Sequence, residues 1–175
     1  MAQVTAPTPV QDMSWVRCGS DLYIEGGYVS VNGVIKLTSS QHFALDLSTS
    51  WPVSSPPWRP LSNGSPSRTS YTVCLPNNQT TLTFKYVAQS SNTITPYNAN
   101  TNIWSPTVDT SSIPDIQVYG VPAVMDPTSG LVYIAGKMNL NIYDSAKQSW
   151  SVAPIAGGIL TSRYFGVLDR DGRVV

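Results

Sequence analysis

Tryptophan recurs in this chain at a fixed step: Trp58, Trp104 and Trp150 stand 46 residues apart, twice in succession. A period of this length marks a repeat architecture, in which each unit buries its apolar face only against its neighbours. The surroundings repeat as well. Tyr97-Asn98 and Tyr143-Asp144 precede Trp104 and Trp150, with the tyrosine seven positions before each tryptophan, so YNANTNIW aligns with YDSAKQSW without a gap. In the first copy, FALDLSTSWPVSSPPW, Leu45-Asp46 takes the tyrosine–Asx place and a longer link leads to Trp58. A short proline-bearing segment follows each tryptophan: RPL, SPTV and SVAP.

An apolar strand is expected before each tyrosine–Asx element, at 22–25 (LYIE), 82–87 (LTFKYV) and 131–135 (LVYIA). The later two follow turns at 76–79 and 126–130, which follow further strands at 71–75 and 121–125. The stretch SRYFGVLDRDGRVV opens the scheme once more, with a strand at 164–168, an Asp-Gly hairpin turn at 169–172 and a new strand from 173. With 14 prolines, 12 glycines and only 11% charged residues, the composition is that of strands and turns. No amphipathic helical period is present. A unit of four antiparallel strands repeating every 46 residues or so is a propeller blade. The predicted fold is therefore all-β, a partial β-propeller of about three four-stranded blades plus the start of a fourth. The blades fall roughly at 14–66, 67–112 and 117–158, with the next beginning at 162–175, behind an extended lead-in over 1–13.

The residues that carry the period also carry a likeness. Tyr23-Ile24-Glu25-Gly26-Gly27 ends an apolar strand on a glycine pair, and Tyr143, Asp144 and Trp150 supply a Tyr–Asp strand with a tryptophan seven positions on. In these features the chain resembles kelch-repeat propellers, and FALDLSTSWPVSSPPWRPL looks like the fungal, galactose-oxidase-like group of them. The second copy departs from the pattern with Lys85-Tyr86 in the glycine-pair place, and the third keeps only Gly136. The motif residues have structural roles: Gly26, Gly27 and Gly136 for tight strand ends, Tyr97, Tyr143, Trp58, Trp104 and Trp150 for packing between blades, and Asp46, Asn98 and Asp144 for turn capping.

Chemistry is sparse. Lysine plus arginine and aspartate plus glutamate number ten each, so no electrostatic footprint for nucleic acid or an anionic membrane exists. No apolar run is long enough for a membrane span. The first twelve residues have neither a basic nor an apolar signal-peptide region. His42 is the single histidine, set in SSQHFALDL without a nucleophile elbow, and reads as a strand residue. The copper-radical chemistry implied by the galactose-oxidase likeness needs several nitrogen ligands, which one histidine does not provide. Asp169-Arg170-Asp171-Gly172 lacks the bidentate glutamate of a calcium loop. No cofactor or metal is expected. The immunoglobulin-like alternative fails on the spacing of Trp51 and Tyr71 to Cys18 and Cys74. For those two cysteines, a disulfide and two buried thiols both remain open.

These readings predict a non-catalytic kelch-type module for protein–protein interaction, a fragment of a larger secreted or cell-surface fungal protein. The alternative is a fragment of an oxidase-like or glycan-binding propeller whose active residues lie elsewhere. Loops that differ between copies are where recognition belongs. The candidate ligand residues are Trp51, Arg59 and Arg68, in or beside a proline-rich loop over 48–67; a second long loop covers 98–116. Asn63 and Asn78 begin glycosylation sequons, although sequons also arise by chance in a chain this rich in Asn, Ser and Thr. Expected partners are a protein, a glycan in the alternative, and remaining propeller blades or a second copy. An extracellular or surface location is expected, with the cytoplasm as the alternative.

Overall fold

The computed structural model describes residues 6–64, 70–77, 79–87, 91–106, 108–109, 123–135 and 139–154. Within them the chain is all-β. The first sheet begins with β1 (Ser14–Cys18) and β2 (Asp21–Glu25). A separate hairpin of β3 (Tyr28–Val31) and β4 (Val34–Thr38) follows, and β5 (His42–Asp46) and β6 (Trp58–Pro60) complete the sheet in the order β1-β2-β5-β6. The second sheet contains β7 (Ser70–Cys74), β8 (Thr80–Val87), β9 (Ser91–Asn98) and β10 (Ile103–Trp104), with β11 (Val108–Asp109) also on β9. The third is β12 (Ala123–Met125), β13 (Leu131–Ala135), β14 (Asn139–Asp144) and β15 (Ser149–Pro154), again in chain order. Three antiparallel meanders, each one repeat long, form a partial propeller with unclosed sheets. No helix long and apolar enough to cross a membrane occurs among the described residues.

Register explains the period. Tyr97 pairs with Trp104 across β9–β10, and Tyr143 with Trp150 across β14–β15. Leu45 pairs with Trp58 across β5–β6 in the same way. The longer link of the first copy therefore leaves the cross-strand pair intact. Each Asx residue ends the third strand of its blade and caps the turn. Asp46 Oδ1 accepts from Ser48 N at 2.7 Å, Asn98 Oδ1 from Asn100 N at 3.0 Å, and Asp144 Oδ1 from Ala146 N and Lys147 N, both at 3.0 Å. The outer strand of blade two is split: β10 faces Tyr97 and Asn98, and β11 rejoins β9 at Thr93 and Ile94.

Alternation along its strands gives blade two a packed side-chain layer on each face. The face of blade two that carries Val73, Leu82, Phe84 and Ile94 packs on Val132, Ile134 and Tyr143 of blade three. Its opposite face, with Cys74 and Tyr97, packs on Cys18, Tyr23 and Ala44 of blade one. The core thus lies in two seams between blades.

The hairpin β3–β4 is an insertion within blade one. Its tip uses Asn32 (φ 53°) and Gly33 (φ 76°), two successive left-handed residues that match the strand twist of a two-residue hairpin. Its base is held by the lead-in. Gln11 and Tyr28 exchange backbone hydrogen bonds at 2.8 and 2.9 Å, and Gln41 pairs through its side-chain amide with both backbone groups of Thr8. Gly27 makes this fit possible. It has φ 88°, and a Cβ there would stand 2.5 Å from Val10 Cγ2 and 2.8 Å from the Gln11 carbonyl oxygen. Gly26 is also left-handed, at φ 70°. Gly136 and the expected fourth-blade start at 162–175 lie outside the described residues.

Candidate functional site at the seam of blades one and two

The two seams differ in chemistry. The seam between blades two and three is mostly apolar, with Asn141 as its buried polar side chain, opposite Ile134 and donating to the Ile134 carbonyl at 3.4 Å. Among the described residues, the seam between blades one and two holds most of the buried polar groups, so it is the candidate site.

Along its inner part runs a chain of hydroxyls ending on a carboxylate. Thr72 Oγ1 donates to Ser14 Oγ at 2.9 Å and lies 3.2 Å from Thr83 Oγ1, which donates to Glu25 Oε2 at 2.8 Å. Ser14, Thr83 and Glu25 are all buried. Glu25 and His42 are cross-strand partners on β2 and β5, so the only histidine stands beside a buried acid. A buried polar group costs free energy unless it is hydrogen-bonded, and Thr83 of blade two supplies such a bond to Oε2 of the Glu25 carboxyl. At the end of β1, Cys18 is bonded to Cys74 of β7. Of the two readings left open for the cysteines, the disulfide is the one found, and it ties the inner strands of neighbouring blades.

Further out the seam is aromatic. The His42 ring meets Tyr97 edge-on at 4.4 Å and Trp104 at 5.0 Å, while Tyr23 and Tyr97 stand 6.2 Å apart. The carbonyl of Ser62 accepts from Trp104 Nε1 at 2.9 Å and lies 3.1 Å from His42 Nδ1. Asn102, left-handed at φ 56°, accepts from the Tyr97 hydroxyl at 2.8 Å and from Ser62 N at 2.9 Å. Burial, reinforced by the nearby Tyr23, pushes the Tyr97 phenol up to about 12. Burial, then the Asp21 carboxylate, raises Tyr23. At the surface end, Asp21 Oδ2 accepts from Arg59 Nη2 at 2.8 Å and from the Tyr23 hydroxyl at 3.2 Å.

Every described motif residue thus has a local task. Tyr97 and Trp104 form the blade-one seam, and Tyr143 and Trp150 pack on Phe84 at 6.1 and 6.2 Å. Trp58 is half-buried opposite Leu45. Of the candidate ligand residues, Trp51 is half-buried with its indole N–H donating to the Asp46 carbonyl at 3.0 Å. Arg59 lies on β6, half-exposed in its ion pair with Asp21. Asn63 is exposed on the connector after β6. Arg68 and Asn78 lie outside the described residues. Among the described residues, no three His, Cys, Asp or Glu side chains are grouped to hold a metal ion. The Glu25–His42 pair and the hydroxyl chain were invisible in the linear sequence because they depend on register and on contacts between residues 58 apart.

What the seam can do chemically is limited by its closure. Its acid, its histidine and most of its hydroxyls are buried, and the hydroxyl chain links blade one to blade two. Large apolar side chains are exposed on variable segments, Val31 (48% exposed) and Val34 (55%) at the hairpin tip and Val53 (90%) on the proline-rich loop, and on blade strands too, Trp15 (62%) on β1, Ile103 on β10 and Val152 on β15 among them.

No family model matches the chain, and no curated protein matches it in sequence. Solved structures do match in fold, 54 chains in all. Among them is YjhT, a kelch-like propeller protein, with a TM-score of 0.60 and 13% identity over 86% of this chain and 52% of that one. At that identity the likeness shows the fold alone. The chain spans about half the length of the YjhT chain.

Proposed function

We propose that the chain is a non-catalytic kelch-type propeller module that binds another protein, and that it works in a secreted or cell-surface protein of the fungal kelch group. One observation carries this reading. The repeated Tyr, Trp and Asx residues are engaged in seams and turn caps, while two segments that differ between the repeats, the β3–β4 insertion and the 47–57 loop, expose Val31, Val34 and Val53. The disulfide supports the oxidising location. Trp15, by alternation on the side of β1 that carries Ile24 and Phe43 in register and away from blade two, is the position we assign to further propeller blades.

The test is saturable binding. The chain is immobilised, extracellular proteins of the producing cells are passed over it, and each retained protein is then titrated alone. A partner whose affinity falls at least about tenfold, roughly 1.4 kcal/mol, in a Val31→Ser/Val34→Ser/Val53→Ser variant supports the reading. Binding indifferent to those substitutions counts against the loops as the recognition surface. Copper-dependent peroxide formation from simple alcohols or sugars overturns the non-catalytic assignment.

A further inference from the structure

We infer that Asn63 is a modification site that carries an N-linked glycan at the rim of the seam between blades one and two. The inference rests on the secretory reading above and adds a chemistry that the reading does not contain. Asn63-Gly64-Ser65 has the acceptor spacing, with the hydroxyl residue two positions after the asparagine. A sequon is only a pattern, and the structure adds two independent observations. The first is that the Asn63 side chain is exposed on an irregular connector. It is also placed rather than free. Leu61 N donates to the His42 carbonyl at 3.0 Å, and Ser62 is held to Asn102 of blade two through its backbone N–H and its hydroxyl, at 2.9 and 2.8 Å. The second observation is the Cys18–Cys74 bond, which belongs to the same oxidising compartment in which this transfer takes place.

The step is a group transfer from a lipid-pyrophosphate-linked oligosaccharide. The Asn63 amide nitrogen forms a bond to the sugar C1, the C1–O bond to the pyrophosphate breaks, the lipid pyrophosphate leaves with the electron pair, and the amide loses one proton. The product places a bulky polar group beside Ser62, whose carbonyl accepts the Trp104 indole.

The chain is expressed in a eukaryotic cell line behind a cleavable signal sequence. Peptides from secreted and cell-retained protein alike are mapped by mass spectrometry, before and after enzymatic release of N-glycans in 18O water. The expected result is a glycan on the Asn63 peptide in molecules whose Cys18–Cys74 bond is closed, with conversion to 18O-labelled aspartate on release. Ser65→Ala, which keeps the asparagine, should abolish it. An unmodified Asn63 in disulfide-closed protein overturns the inference, and so does a glycan found only in molecules with the disulfide open. Neither result touches the interaction-module reading, which is judged by binding.

Discussion

Removing the Cys18–Cys74 bond should cost the chain much of its stability. The bond closes a loop of 56 residues, and the two cysteines are 4% and 8% exposed at the inner edge of the seam. On the chain-entropy account, a loop of that length removes about 14 cal/mol/K from the unfolded ensemble, or about 4 kcal/mol at 25 °C. Against a total stability of about 5–15 kcal/mol, that is a large share. Urea unfolding followed by tryptophan fluorescence measures it, for the oxidised chain, the chain in a phosphine reductant, and a Cys18→Ala/Cys74→Ala variant. With a urea slope of about 2 kcal/mol/M, the midpoint should fall by about 2 M on reduction, and the slope should rise as the unfolded chain expands. The alanine variant should fall slightly further because it also empties two buried positions. A midpoint shift below about 0.5 M with an unchanged slope would refute the reasoning, since a cross-link between separately packed blades cannot be so weak.

Other outcomes follow from the same contacts. Gly27→Ala meets Val10 and the Gln11 carbonyl at a left-handed φ, and should cost about 1–3 kcal/mol while releasing backbone amide protection at Gln11 and Tyr28. Phe84→Ala leaves a void against Tyr143 and Trp150 and should cost about 3–5 kcal/mol in urea melts, whereas Val53→Ala should stay within about 0.5 kcal/mol. Tyr97, Tyr23 and Tyr143 are raised above the ordinary 10.0, chiefly by burial. The stability they confer is complete below pH 10 and is lost as pH climbs through the folded values, about 12 for Tyr97; absorbance at 295 nm should show three late-titrating phenols. Asp46, Asp126 and Asp144 behave in the opposite sense. Hydrogen bonds from Ser48, Ser129 and Lys147 hold them below 3.8, so their contribution is present above that pH and fades as pH falls through the depressed values, which carboxyl 13C shifts would report.

The parts of the fold that were legible in the sequence are those whose cause is local or periodic. The tryptophan step located three blades because each tryptophan needs a cross-strand partner at one register position, and Leu45 filled it in the first copy despite not being a tyrosine. The glycine pair was legible because both positions are left-handed, and at Gly27 only glycine tolerates the approach of Val10. The β3–β4 insertion has a local signal, the Val31-Asn32-Gly33-Val34 hairpin pattern, but the 46-residue period does not reveal it because a four-strand blade has no counterpart for it in the other copies. The candidate site was not legible. Arg59 reads as a cation available to an acidic partner until the fold brings Asp21, 38 residues away, to 2.8 Å. Ser62 and Asn102 are ordinary polar residues 40 positions apart, and only the meeting of two blades makes them partners. Long-range polar pairing has no period, so it leaves no trace in spacing.

The central claim is that the 46-residue unit is a blade and that its aromatic residues join one blade to the next. The single histidine makes a direct test available, because its ring protons need no disentangling from other histidines. A NOESY spectrum of the oxidised chain should show cross-peaks from the His42 ring to both Tyr97 and Trp104, whose ring centres lie 4.4 and 5.0 Å away, and from Phe84 to Tyr143. Absence of both sets in a folded, disulfide-closed chain would contradict the account.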